Sequence, residues 1–441
     1  MKKYIRIERA NNFNDRMLFF KLHCSKAVEK YFTSDSLIFQ YDRKIEDVDE
    51  SILQIPAIAT VITVAWAIGA DVHAKKLDKA YLISLNKVKT VMESWYPEFS
   101  FSGTIIPRNI VSNRFFNDGY GLLFSGGIDS LASYIRHRSD KPNLICCEGG
   151  GVDIHSLDEK AKKRLIDFSD REGTKINFVR TNADKIINKN LLFREFGLDW
   201  WMNVCHEILL TGLCAPLTCV ENIGNLLIAS SFTREFRFPW GSHPLISNNI
   251  SWGNIKVVHD CYKFSRQEKI RYIIKNYLRK KGYYPFLRVC TSQSEINCCK
   301  CEKCLRTITG LALEGIDPNK CGFLSINSRT FDFIKERFLK EAFLKRKKLI
   351  ERKGPFICRL GDIFFWEDIQ KHIPLNIKYN LCNSKKFFEW FRDFDVSGHI
   401  RISKLSQLSL DYIADCLAPL SCYLPESIRN FVRHIRKKFT H

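Results

Sequence analysis

Between residues 121 and 231, short apolar runs alternate with helical stretches, and a glycine-rich turn sits at the first crossover. GLLF (121–124), NLICCEG (143–149), KINFVRT (175–181) and NLLIASS (225–231) have the length and composition of buried strands. Between them lie LASYIRHR (131–138), the amphipathic LDEKAKKRLIDFSDREG (157–173), closed by Gly173, and the apolar HEILLTGLCAPLTCV (206–220). Strands that are apolar throughout need cover on both faces, and parallel strands need helical crossovers. The pattern predicts an α/β fold: a parallel sheet with helices on both faces.

The flanks differ in texture. Residues 1–115 mix strand-like pieces with helices, one of them over 79–95, and predict an N-terminal α+β accessory domain. Residues 116–325 hold the alternating pattern. Residues 326–441 are Phe-rich and basic and predict a helical C-terminal region. A chain of 441 residues can bury sizeable cores without disulfides. It has 17 Cys, an odd number, and opens on the polar MKKYIRIERA, which does not read as a secretory leader. Together these point to a reducing, cytoplasmic setting, with some cysteines on a metal and the rest as small buried hydrophobes. Residues 52–70 lack a formal charge and approach the length of a membrane span. Gln54, Pro56 and two Thr weaken insertion, and Pro56 suits a first helical turn, so a buried helix is expected there and no span.

The strongest motif is Ser125-Gly126-Gly127-Ile128-Asp129-Ser130, directly after a strand and before a helix. Two glycines allow a turn with positive φ and a close backbone approach to an anion. The helix that follows presents its partial positive end, and Ser125 and Ser130 add hydroxyls. No Lys follows the glycines, so this is not a Walker A loop. SGGIDS resembles the PP-loop of the N-type ATP pyrophosphatases, which cleave ATP between the α and β phosphates and adenylate a carboxylate or carbonyl oxygen. The resemblance implies that Ser125, Gly126, Gly127 and Ser130 hold pyrophosphate. It implies that Asp129 caps the helix or holds Mg²⁺, with Asp129 and Ser130 acting in catalysis.

The second motif is Cys290-x7-Cys298-Cys299-x-Cys301-x2-Cys304. Cys290, Cys298, Cys301 and Cys304 can close a tetrahedron of soft thiolates, the donor set of a structural zinc; an iron–sulfur cluster is the alternative. Lys300, Lys303 and Arg306 would offset the charge of the cluster, and Cys299 is left over. A PP-loop followed by these cysteines is similar to the 7-cyano-7-deazaguanine synthase family of the queuosine pathway. That family converts a carboxylate to an amide and then a nitrile, using ATP and ammonia. Its Thr-Lys-x-Glu segment is represented by Ser265-Arg266-Gln267-Glu268, which makes Arg266 a candidate catalytic cation. The resemblance covers residues 120–310 or so. The long flanks are more similar to larger, mostly uncharacterised relatives, some of them in antiphage defence operons. The cofactors implied are ATP, Mg²⁺ and Zn²⁺.

Ligands of doubly wound sheets sit beyond the carboxyl ends of the strands. Ser231 closes the fourth strand, and Arg234, Trp240 and His243 follow. Arg234 could clamp a carboxylate or phosphate, and His243 could serve as acid or base near neutral pH. His206 and Asp260 are further candidates on the substrate side. Gly149-Gly150-Gly151 with His155 could lie against a nucleotide. The net charge of +21 suits a nucleotide, a nucleic acid or an acidic membrane surface. A basic amphipathic stretch with Arg429, Arg433, Arg436, Lys437 and Lys438 ends the chain; packing on its own domain, RNA contact and membrane-surface contact are its three readings. The expected function is ATP-dependent adenylation of an unidentified acceptor, which could be a small acid, a protein or a nucleic acid. The alternatives are a tRNA-modifying enzyme, with Cys147 or Cys299 carrying sulfur if it thiolates, and a non-catalytic zinc-binding adaptor.

Overall fold

The structure is a computed structural model that describes residues 2–10, 15–149, 158–290, 296–346 and 360–397. Gly150, Gly151, His155 and the basic C-terminal stretch from Arg429 onward lie outside the described residues. The strands are β1 (Tyr4–Arg9), β2 (Met17–Cys24), β3 (Ser36–Tyr41), β4 (Asp71–Asp78), β5 (Ile105–Val111) and β6 (Gly119–Leu123), then β7 (Asn143–Glu148), β8 (Ile176–Thr181), β9 (Ile223–Ala229), β10 (Ser251–Trp252) and β11 (Ile255–Asp260). They form one sheet in the order β10-β11-β9-β6-β7-β8-β3-β2-β1-β4-β5.

The centre of the sheet, β11-β9-β6-β7-β8, is parallel. Strand β7 is buried at every position because helices cover both of its faces. Its side chains alternate between two cores. Ile145 and Cys147 join one, and Leu144 and Cys146 join the other. The first face is covered by helices Ile55–Ile68 and His206–Val220. The second is covered by helices Ile128–Arg136, Glu159–Glu172 and Glu302–Leu313, and by the C-terminal helices Leu360–Lys371 and Lys385–Asp393.

The division expected at residue 115 is a boundary in composition and not in packing. Strand β3 pairs antiparallel with β8, Phe39 facing Thr181, so the N-terminal strands continue the central sheet. An uncovered β8 would leave a row of backbone groups without partners, and β3 supplies them. The first core likewise runs through both regions, from Ile5 and Phe39 to Leu213 and Ile228. The sheet is therefore mixed, with an antiparallel β3-β2-β1 run joining its two parallel parts.

The apolar run at 52–70 is accounted for by this core. Helix Ile55–Ile68 begins with Pro56 in its first turn, ends at Gly69 with φ 67°, and is buried at every residue except Ala67. It lies against helix His206–Val220, where an added Cβ on Gly212 would stand 2.4 Å from Ala59 Cβ. Among the described residues, Trp200–Val220 is the one helical stretch long and apolar enough to cross a membrane, and most of it is buried inside the protein.

Candidate functional site: a cationic cavity beside a cysteine cluster

Strand β6 pairs with β7 on one side and β9 on the other. The chain passes from β6 to β7 and β8, then returns to place β9 on the opposite flank. This reversal of strand order opens a crevice beyond the carboxyl ends of β6 and β9. The 125–130 loop leaves β6 into that crevice, and Ser231 follows β9 into it. Together they line a cavity of about 260 Å³.

The loop is held by its own groups. Gly126 has φ 78°, and Gly127 (φ −85°, ψ 175°) stands at the N-cap of helix Ile128–Arg136, where no side chain caps the first turn. Ser130 Oγ donates to the Gly127 carbonyl over 3.2 Å and lies 3.3 Å from Ser125 Oγ. Ser125, Gly127, Asp129 and Ser130 all face the cavity. Uncapped amides at a helix start are donors for an anion.

Four cations line the same cavity: Arg266, Arg288, Lys303 and Arg306. The Ser265–Glu268 capping box starts the helical segment that carries Arg266, and Lys269 lies three residues on. That spacing puts both on one face, where they meet Asp129. The Arg266 guanidinium donates to Asp129 Oδ2, Lys269 Nζ lies 3.0 Å from Oδ1, and Ser231 Oγ lies 3.3 Å from Oδ2. Burial pushes the Asp129 carboxyl up, but the Arg266 and Lys269 charges outweigh it and bring it down to about 2. Phe365, from helix Leu360–Lys371, backs the cations: the Arg266 and Arg306 guanidinium carbons each lie 4.1 Å from its ring centre.

The sulfurs of Cys290, Cys298, Cys301 and Cys304 lie within 4.8 Å of one another. Cys290 and Cys301 are 3.8 Å apart, and Cys298 and Cys304 are 3.9 Å apart. Zinc at about 2.3 Å from each of four thiolates needs sulfurs about 3.8 Å apart, so the group fits zinc. Cys299, with φ 55°, is outside the group. Buried Asn297 shapes the approach: its carbonyl accepts from the Val289 and Cys290 amides at 3.2 Å, and its amide donates to Leu287 and Gly322 carbonyls at 2.7 and 3.0 Å.

Comparison with protein-family models, with curated proteins and with solved structures finds no match.

Of the expected residues, Ser125, Gly127, Asp129, Ser130, Ser231, His206 and Arg266 line the cavity, and Gly126 shapes the loop. Three expected members stand elsewhere. Arg234 is exposed outside the cavity. Asp260 turns to Arg136 at 2.7 Å and His137 at 3.4 Å. His243 plays a structural part, in which its Nδ1 accepts from the Leu245 amide at 3.1 Å and its ring meets the edges of Trp95 and Tyr262. Burial, then nearby His259, push His243 down to about 4. Asp129 is not the helix cap, since Gly127 occupies that position; its two oxygens hold Arg266, Lys269 and Ser231. Lys269, Arg288 and Phe365 are site residues that the sequence did not reveal. The Arg266–Lys269 spacing was a usable signal for Lys269; Arg288 and Phe365 reach the site through tertiary packing alone.

Proposed function

We propose that the cavity binds the phosphates of ATP and that the chain is an adenylating enzyme. One observation carries this reading: a glycine loop and an uncapped helix start meet four cations at the point where the strand order of the sheet reverses. The loop amides and the Ser125 and Ser130 hydroxyls would hold the β and γ phosphates. Arg266, Arg288, Lys303 and Arg306 would stabilise the charge that grows on departing pyrophosphate. The acceptor oxygen would form a bond to the α phosphorus as the bond to the bridging oxygen breaks, giving an acyl adenylate and pyrophosphate. Ammonia or an amine would then form the amide, release AMP and lose a proton. Asp129 would orient Arg266 and Lys269.

Sulfur transfer is less well served. Cys147 lines the cavity, but the neighbouring Cys214 thiol and burial push it well above the ordinary thiol range, whereas a sulfur carrier needs a thiolate. The test is release of AMP and pyrophosphate from ATP in the presence of candidate carboxylates. Ser125→Ala and Arg266→Met should each lower AMP formation by about 10²-fold. AMP release at the parent rate in both variants would refute the reading.

A further inference from the structure

We propose that the cysteine cluster governs the anion cavity: metal bound by Cys290, Cys298, Cys301 and Cys304 raises the cavity's affinity for anions, and a bound anion tightens the metal in return. The inference rests on the reading of the cavity as an anion site, though not on the identity of the nucleotide.

The two sites share a wall. Cys290 lines the cavity, with Arg288 two residues before it. The Arg288 amide donates to the Gly126 carbonyl over 2.9 Å, so the segment that brings Cys290 to the cluster also closes the glycine loop. Across the cluster, Cys301 stands at the start of helix Glu302–Leu313, whose first turns deliver Lys303, Arg306 and Thr307 to the cavity. Three of the four cavity cations are thus borne by two segments that converge on the thiolates. Asn297 ties Leu287, Val289 and Cys290 of the first segment to Gly322. Metal adds the link from Cys290 to Cys301 and Cys304 at the start of the helix that carries Lys303 and Arg306.

Two effects oppose each other. Zinc with four thiolates carries a net charge of −2, which repels an anion. Without metal, however, the segments lose their cross-link, and an anion must order them at an entropic cost for every residue fixed. The cluster's charge is partly met by backbone donors, such as the Cys301 amide at 3.3 Å from Cys298 Sγ. Ordering therefore dominates, and the coupling is positive.

The test uses zinc and sulfate, because sulfate does not compete for zinc as pyrophosphate does. Sulfate affinity is measured by calorimetry on the full chain, zinc-loaded and zinc-stripped, with near-ultraviolet dichroism as the check of fold. The loaded protein should bind sulfate about tenfold tighter or more, within the usual span of coupling between sites. Equal or tighter binding by the folded, stripped protein would overturn the proposal. Should stripping unfold the chain, the reciprocal measurement decides: zinc affinity by equilibrium competition with a chelator, with and without sulfate at matched ionic strength. Sulfate should tighten zinc by a similar factor, and an unchanged zinc affinity would overturn the linkage. Absence of any sulfate binding by the loaded protein would overturn the anion-site reading itself, and the linkage with it.

Discussion

Lys269 Nζ lies 3.0 Å from Asp129 Oδ1, and the lysine side chain is wholly buried. One carboxylate therefore holds two cations, Lys269 and Arg266, at the base of the cavity. Asp129→Asn would leave both charges facing each other without the carboxylate that joins them. Breaking a buried pair from one side costs about 3–5 kcal/mol. Urea unfolding should show a loss of that order for Asp129→Asn, and a good part of it should return in Asp129→Asn with Lys269→Met. The sign with pH follows from the carboxyl held at about 2 against an ordinary 3.8: its contribution is full above pH 3.8 and is lost as pH falls through about 2. An Asp129→Asn protein as stable as the parent would show that the pair contributes nothing.

Gly126 needs its φ of 78°, and a Cβ there would press on Leu165 Cδ2 at 3.1 Å. Gly126→Ala should cost about 1–2 kcal/mol of stability from the left-handed backbone. It should also weaken pyrophosphate binding about tenfold, equivalent to one displaced charge-assisted hydrogen bond. Gly173 provides the control, because it has φ 63° with nothing within 4 Å of an added Cβ. Gly173→Ala should carry a similar stability cost with no change in the calorimetric affinity. Equal affinities in both variants would mean that the 125–130 loop does not touch the anion.

Gly212 and Ala59 mark the closest approach of the two helices on the first face of the sheet. With an added Cβ only 2.4 Å from Ala59 Cβ, the helices must separate. Gly212→Ala is expected to lower stability by about 1–3 kcal/mol, as overpacking does. Ala59→Gly in the same chain should return part of that loss, a coupling readable in a double-mutant cycle of urea midpoints. Strict additivity of the two changes would place the clash elsewhere.

His243 is held at about 4 against an ordinary 6.5. Between those values the unfolded chain takes up a proton that the folded chain refuses, so stability rises with pH across this window and levels off above 6.5. His243→Asn retains an acceptor for the Leu245 amide but does not titrate. Its thermal midpoint, compared with the parent's at each pH from 7 down to 4.5, should fall less steeply. Parallel curves would assign the acid sensitivity to other groups.

Much of the site was legible in short stretches of chain. The 125–130 loop declares itself because its glycines, hydroxyls and helix start are adjacent in sequence. The cysteines do so because ligand spacing is local. The strands at 143–149 and 225–231 announce themselves by unbroken apolar runs, the mark of burial on both faces. Where a role depended on direction, the reading failed. His243 and Asp260 have suitable chemistry for a site, but one ring faces Trp95 and Tyr262 and the other side chain faces Arg136.

The chain order of residues was enough to specify an α/β sheet, a loop suited to anions and a four-thiolate group, since each of these arises from neighbours along the backbone. Tertiary structure alone decided that the N-terminal strands extend the same sheet, that Arg288, Lys303 and Arg306 face the loop, and that the thiolates share a wall with the cavity. The physical reason is that a cation's position is set by the packing of the segment that carries it. For Arg288 that means a hydrogen bond to Gly126 across 162 residues of chain, a distance over which periodicity and spacing hold no information.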